Sequence, residues 1–393
     1  MNSTMPHALR ILIAPDHYKG SMSAPAAAQI MQQAFARHFP GATFDLLPLA
    51  DGGEGTAAAF QQAKAGLVEK VAVRDPLGRW READLVLLDA GKTAVVEMAQ
   101  ASGLLLLRPE ERNPLQTSSH GTGELLRAAL ERGAETILIG LGGSATNDGG
   151  MGMLTALGAR FYDAKGKELS ATGKDLARVA KADFSQLHPR LAEVHLLAIC
   201  DVDNPLLGPT GATQVYGPQK GADAAALSAL EAGMRNYLHH LEADSGKALA
   251  ALPGAGAAGG LGMACLFLGA QLRSGIGVIA ELLQLEERIA AADLVITGEG
   301  CIDEQTLHGK TIAGVLRVAQ RQARPVVVIA GALRTDVETW RKLGATAVFS
   351  SVASSAPEAD LLASGPSNLE RTASSVAATL ACGLGLAART AQA

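Results

Sequence analysis

Leu9–Ala14 reads LRILIA and leads straight into PDHYKGS (15–21). The short apolar run is a buried strand. Ser23 then stands where a helix N-cap is expected, and apolar residues continue through Phe39. Thr43–Leu47 reads as a second strand, followed by the loop ADGGEGT (50–56) and a helix to about Ala65. Strand, loop and helix repeated in this way is the pattern of a parallel α/β sheet. The same rhythm returns towards the C-terminus. Asp293–Thr297 (DLVIT) is a strand, GEGCIDEQT follows, and a helix starts at about Thr311. Pro325–Ala330 is a fourth strand, 337–343 a helix, Ala345–Phe349 a fifth strand, and Asn368–Ala391 an alanine-rich helix.

Two strands at one end and three at the other make one doubly wound, five-stranded sheet of flavodoxin-like order 2-1-3-4-5. The chain is thus α/β: residues 1–65 and 291–393 build a discontinuous flavodoxin-like domain, and 66–290 form an inserted second α/β domain. In the insert, 67–97 read as several strands, Thr136–Ile139 and Val194–Ile199 as two more, and Gly121–Arg132 as an amphipathic helix. Open sheets of this order bind ligands beyond the carboxyl ends of strands 1 and 3. PDHYKGS and GEGCID (298–303) occupy those ends, so two loops distant in sequence are expected to meet at one crevice. ADGGEGT is expected beside them, with the active site in a cleft between the sheet and the insert.

Composition narrows the function. The 393 residues are 48% hydrophobic, 19% charged and only 4% aromatic, with 44 glycines and a formal net charge of −5. The core is therefore aliphatic and the glycines serve turns. A slightly acidic chain without basic runs argues against nucleic acid or an anionic membrane as partner. Cys200, Cys265, Cys301 and Cys382 lie far apart, with no CxxC pair, which points to neither zinc nor a disulfide framework. Residues 1–8 lack the apolar segment of a signal peptide, so the cytoplasm is the expected location. Lys247–Arg273 has no charge between its ends, but Pro253 and six glycines make it a glycine-rich loop and a buried helix rather than a membrane span.

The densest chemistry lies in Ile139–Gly152, IGLGGSATNDGGMG. Glycine-rich backbone turns its N–H groups towards one point and lets a ligand approach closely. Gly142, Gly143, Ser144, Thr146, Asn147 and Asp148 together suit a phosphorylated ligand. Gly140–Ala145 also matches G-x-G-x-x-A after a strand, and Gly254–Gly259 matches G-x-G-x-x-G, which keeps a nicotinamide-dependent dehydrogenase of a small hydroxy acid as the alternative. His308–Thr311 is not a P-loop, since position 304 is Glu; Lys310 is left between phosphate and solvent. PDHYKGS offers Asp16, Lys19 and Ser21. ADGGEGT offers Asp51 and Glu54, and GEGCID offers Glu299 and Asp303. CDVDNPLLG (200–208) displays Asp201 and Asp203 at i and i+2, which suits Mg²⁺ or a catalytic base, with an Asx turn before Pro205 as the plain alternative. Gln219 and Lys220 sit in a loop before a helix. Arg112 and Asn113 open RNPLQTSSHGTGE (112–124), where a helix start suits an anion.

PDHYKGS, ADGGEGT, RDPLGR, EMAQASG, RNPLQTSSHGTGE, IGLGGSATNDGGMGML, CDVDNPLLGPTGA, YGPQKGA, GAGAAGGLG, DLVITGEG and IDEQT together resemble the type I glycerate kinase family across nearly the whole chain. The resemblance implies ATP-dependent phosphorylation of D-glycerate, usually at the 2-hydroxyl, with Mg²⁺. It also implies a flavodoxin-like domain carrying an inserted α/β domain. On this reading Asp201 or Asp203 is base or metal ligand, and Lys19 and Lys220 are catalytic cations. Asp16, Ser21, Asp51, Arg112, Asn113, Glu299 and Asp303 surround the acid substrate, and the 142–148 loop cradles ATP phosphates. A homodimer is compatible with the sequence. The chain departs from the family in two places. His17-Tyr18 replaces Ser-Phe, and Cys301 replaces an arginine, which removes a guanidinium from a switch-point loop.

Overall fold

The computed structural model describes residues 8–49, 56–64, 66–303 and 311–390. They group into two compact units, one holding the residues up to 49 and those from Gly275 onward, the other the residues between, to Ser274.

The first unit is built on five strands, all paired in parallel. Their order across the sheet is Thr43–Leu46, Arg10–Ile13, Leu294–Thr297, Val326–Ala330, Ala347–Ser350. Numbered along the chain this is 2-1-3-4-5, the flavodoxin-like order. Ile11 pairs with Phe44 on one side and with Leu294 on the other. Helices Ala24–Ala36 and Gly365–Thr390 pack together on one face. There Met31, Phe35, Leu369 and Ala373 close over Ile11, Ile13, Ile296 and Ile329. Thr311–Arg321, Leu285–Ala291 and Gly275–Leu282 pack against one another and cover the sheet elsewhere. Ser23 caps the first helix, its hydroxyl accepting from the Ala26 amide at 3.3 Å, a bond worth about 1 kcal/mol. That helix ends at Ala36, with Arg37 as its C-cap still in right-handed helical geometry, and Pro40 disfavours helix at Phe39, the last of the apolar run.

The second unit carries a six-stranded mixed sheet in the order Gln271–Arg273, His195–Ile199, Thr136–Gly140, Thr93–Glu97, Trp80–Leu88, Leu67–Arg74. The first four strands are parallel and the last two antiparallel. RDPLGR (74–79) proves to be the hairpin turn between the antiparallel strands. Asp75 Oδ1 accepts from the amides of Leu77 (2.8 Å) and Arg79 (2.9 Å). Helix Thr56–Lys64 belongs here, where the Ala57 amide donates to Glu97 Oε2 at 3.3 Å. Helices Gly275–Leu282 and Leu285–Ala291 belong to the first unit. Both divisions therefore fall N-terminal of the sequence boundaries at 66 and 290. The uncharged segment forms a loop and the buried helix Ala257–Phe267, whose start continues the loop because Ala258, Gly259 and Gly260 have positive φ, and among the described residues no helix is long and apolar enough to cross a membrane.

Loops beyond the carboxyl ends of the first sheet touch through glycine. A Cβ on Gly298 would lie 1.9 Å from the Ile329 carbonyl oxygen and 2.7 Å from the Tyr18 hydroxyl, so no side chain fits. Gly298→Ala is expected to lower stability by more than about 2 kcal/mol, read as a fall in the urea midpoint with little change of slope. An unchanged midpoint would show that these loops are not packed as described.

Candidate active site

In the first unit, the loops that follow strands Arg10–Ile13, Leu294–Thr297 and Val326–Ala330 are laced by backbone hydrogen bonds. Asp16 N donates to Gly298 O (2.8 Å), Gly331 N to Glu299 O (2.9 Å), and Ala332 N to Gly300 O (3.0 Å). PDHYKGS and GEGCID thus lie side by side at the switch point. Asp16 is buried, and its Oδ1 accepts from the backbone amide of His17 at 2.6 Å and lies 2.7 Å from His17 Nδ1. The Tyr18 hydroxyl is buried and donates to Ile329 O at 2.5 Å; burial, with Glu299 nearby, pushes its ionisation far upward. Ser21 Oγ donates to Leu362 O (2.7 Å), while Lys19 is exposed. Glu299 and Asp303 are part-exposed in the same loop layer. Asp51, Glu54 and Lys310 lie outside the described residues.

In the second unit, the carboxyl ends of the parallel strands gather the loops that the sequence marks. Lys220 ends the short turn Pro218–Lys220 and is fully buried. Its Nζ donates to Ser144 Oγ and to Thr146 O, both at 2.7 Å. Burial pulls its pKa down to about 7, while Asp148 draws it up. Asp148 is also buried, and burial raises its pKa against the pull of four donors. Those donors are Ser119 N (2.7 Å) and Oγ (2.8 Å), Gly150 N (3.2 Å) and Gly152 N (3.2 Å). The carboxylate therefore ties the glycine loop to the start of helix His120–Glu131.

Asn147 Nδ2 donates to Thr213 Oγ1 (3.0 Å). Three buried polar atoms in this cluster have no partner among the described residues: Thr146 Oγ1, Asn147 Oδ1 and Arg112 Nε. Such groups are costly unless a ligand or water meets them. Arg112 reaches the cluster because its carbonyl abuts Gly221, next to Lys220; Asn113 is exposed and its side chain accepts from Leu115 N (3.1 Å).

The GAGAAGG loop completes the layer. Gly256 N donates to Asn204 O (3.0 Å) and Gly149 N to Gly259 O (3.0 Å). Gly259 has φ +68°, and a Cβ there would lie 2.0 Å from Thr146 O. These glycines are spent on packing protein against protein. The other fingerprint, 140–145, is followed by a helix only at Met151, whereas a dinucleotide fold starts its helix within the fingerprint. Neither stretch has the form that a nicotinamide cofactor requires.

Asp201 and Asp203 are both exposed after strand His195–Ile199. Their turn is held by the Cys200 thiol donating to Val202 O (3.1 Å), and burial pushes that thiol up to about 11. Asn204 is structural: its Nδ2 donates to Thr210 O (2.8 Å), and its Oδ1 accepts from Tyr216 (2.7 Å). Among the described residues no group of three or more His, Cys, Asp or Glu is placed to hold a metal. Two neighbouring exposed carboxylates nonetheless fit Mg²⁺, which keeps several waters and takes its other ligands from substrate phosphates.

The structure thus brings Arg112, Gly142–Asp148, Asp201, Asp203 and Lys220 into one loop layer of the second unit. It brings Asp16, Lys19, Ser21, Glu299 and Asp303 into one layer of the first. Ser119, Thr213 and Tyr216, which hold Asp148, Asn147 and Asn204, were not legible as site residues. Their roles come from tertiary neighbours, and a single Ser, Thr or Tyr in a loop carries no spacing signal.

The chain matches the glycerate kinase family over residues 11–381. It is 46% identical over 373 residues to a protein named glycerate kinase from Bacillus subtilis, covering 95% of this chain and 98% of that one. To a protein named glycerate 2-kinase from Escherichia coli it is 45% identical over 377 residues, covering 96% and 99%. A crystal structure of a glycerate kinase 2 from Salmonella typhimurium LT2 superposes with a TM-score of 0.86 at 46% identity, covering 96% of this chain and all of that one.

Lys220 gives a pH signature in the ligand-free protein. Its folded pKa of about 7 lies below the ordinary 10.5, so between those values the unfolded chain binds the extra proton and stability rises with pH. Below pH 7 both states are protonated and the slope vanishes. Relative to Lys220→Met, the wild type is expected to gain stability from pH 7 upward, with a limiting slope on the order of 1.4 kcal/mol per pH unit. Parallel stability curves for the two proteins would mean the amine is not held as described.

Proposed function

This chain belongs to the glycerate kinase family of phosphotransferases, and from that premise we propose that it transfers the γ-phosphoryl group of ATP to the 2-hydroxyl of D-glycerate with Mg²⁺. The observation that carries the reading is the buried Lys220 ammonium set into a glycine-dense loop beside unsatisfied Thr146, Asn147 and Arg112 atoms. A polyanion supplies the charge that such a site lacks. The name of the Escherichia coli relative, glycerate 2-kinase, supports the 2-hydroxyl.

Phosphoryl transfer asks the protein mainly for positioning and charge stabilisation. The loop Gly142–Asp148 orients nucleotide phosphates, with Asp148 fixing its shape rather than meeting the ligand. Lys220 balances charge that develops on the transferred group. Asp201 and Asp203 would hold Mg²⁺, which when bound neutralises phosphate charge; Asp203 also serves as the carboxylate nearest to general-base duty on the substrate hydroxyl. Arg112 contributes a guanidinium to the transferred phosphate, while Lys19 receives the acid substrate, with Ser21, Asp16, Glu299 and Asp303 shaping the wall around it. Asn113 shapes the turn that presents Arg112. A small anion and ATP, rather than nucleic acid or membrane, are the partners; a homodimer and a cytoplasmic location complete the proposal.

An ATP-coupled assay with D-glycerate, followed by phosphorus NMR of the product, tests the reading. ADP formation with 2-phosphoglycerate as product is expected. The 3-phosphate would overturn the regiochemistry, and reduction of NAD with a hydroxy acid in place of ADP formation would favour the dehydrogenase. Asp203→Asn is expected to lower kcat by roughly 10²- to 10⁴-fold with an unchanged melting temperature; near-normal turnover would remove Asp203 from the mechanism.

A further inference from the structure

The first unit holds a cavity of about 680 Å³ at the carboxyl end of its sheet, lined among others by Lys19, Ser21, Cys301, Arg334, Glu358 and Asn368. That size suits a small-molecule ligand. The cavity draws on the loops after strands 1, 3 and 4, the place where an open α/β sheet takes its ligand. Among the described residues its charged lining is unbalanced, with Lys19 and Arg334 against Glu358. Neither cation makes an ion pair or side-chain hydrogen bond among the described residues. Arg371, by contrast, donates to the carbonyl of Ser351 on the cavity wall.

Arg334 reaches the cavity through a register that the backbone fixes. Cys301–Ile302 and Ala332–Leu333 form a short parallel pair, Cys301 opposite Ala332 and Ile302 opposite Leu333. The Arg334 amide donates to Ile302 O at 3.0 Å. Arg334 therefore stands one step beyond the pair that contains Cys301, on the adjoining strand, and both residues line the same cavity. We propose that Lys19 and Arg334 clamp the carboxylate of the small acid substrate, Arg334 supplying from the neighbouring strand the guanidinium that position 301 does not.

The chemistry favours a carboxylate. A guanidinium grips a carboxylate through two parallel N–H donors, and an ammonium adds a point charge. Together they neutralise an anion without a metal. The hydroxyl of Ser21 is committed to Leu362 O, so it shapes the wall. The proposal rests on the glycerate kinase reading, which assigns no role to Arg334.

The test is steady-state kinetics and calorimetry on the full-length chain. Arg334→Ala is expected to raise the KM for D-glycerate roughly tenfold or more, with the KM for ATP within twofold of wild type. Arg334→Lys keeps the charge but not the fork and should fall between. Cys301→Arg introduced into the Arg334→Ala protein should restore the glycerate KM to within a few-fold of wild type. An unchanged glycerate KM overturns the clamp; a rise in the ATP KM instead would assign the cations to nucleotide phosphate and overturn the carboxylate. Calorimetric titration of wild type and Arg334→Ala with D-glycerate, and with glycerol as the neutral analogue, separates this from the kinase reading. Wild type that binds glycerate through Arg334 but turns over no ATP would sink the kinase reading and leave the clamp. Active wild type with equal glycerate affinity in the variant would do the reverse.

Discussion

A buried ammonium is the constraint around which the second unit is arranged. Taking Lys220 out of water costs several kcal/mol unless hydrogen bonds and a counter-charge answer it. Ser144 Oγ and Thr146 O answer two of its three donors, and Asp148 supplies a favourable field. Those partners must themselves be fixed. Asp148 does this by accepting from Ser119 and from the amides of Gly150 and Gly152, so the shape of the glycine loop and the state of the lysine are one problem. If the loop opens, the lysine loses its acceptors and the carboxylate its donors.

Glycine makes the arrangement possible because it removes side chains from places where backbones meet. Gly259 lets the 254–260 loop reach the Thr146 carbonyl. In the first unit Gly298 does the same for the strand 3 loop against Ile329. The abundance of glycine in this chain therefore reports contact between loops as much as contact with a ligand. That distinction separates a phosphate cradle from a dinucleotide fingerprint: spacing is similar in both, and only the neighbour of each missing Cβ tells them apart.

The flavodoxin-like order was legible because strands buried on both faces read as unbroken apolar runs, such as PVVVIA at 325–330, each followed by a loop and a helical pattern. The second sheet was less so. Its antiparallel pair alternates imperfectly, with Leu67 and Trp80 exposed, and the helix expected after the Lys220 loop carried no bounds in the sequence, although Asp223 caps Ala224–Ser245 and Gly246 closes it. At the site, the residue types announced themselves: Lys220, the 142–148 loop and the 201–203 carboxylates all stand in loops dense in polar groups. Their division of labour did not. Asp148 has the sequence look of a ligand-binding acid, yet four internal donors hold its carboxylate. Asn204 likewise looks like a ligand beside Asp203, yet its amide closes its own loop. Arg334 has no motif at all and becomes visible only when the register of two short strands is known.

The two units meet anionic chemistry by opposite means. In the second, charge is buried, desolvated and braced, so the anion proposed to bind there would find its partners already oriented and meet a strong field in a low-dielectric setting. The cost of that preorganisation is carried by the fold, in the depressed affinity of Lys220 for its proton. In the first, Lys19 and Arg334 stay solvated on the cavity wall, where each interaction is weaker but nothing is paid in stability to keep it. A transferred phosphoryl group must be stabilised most strongly as charge moves through it, whereas a spectator carboxylate only needs to be held. Buried electrostatics suit the first task and exposed electrostatics the second, which is the division that the proposed roles of Lys220 on one side and of Lys19 and Arg334 on the other would give.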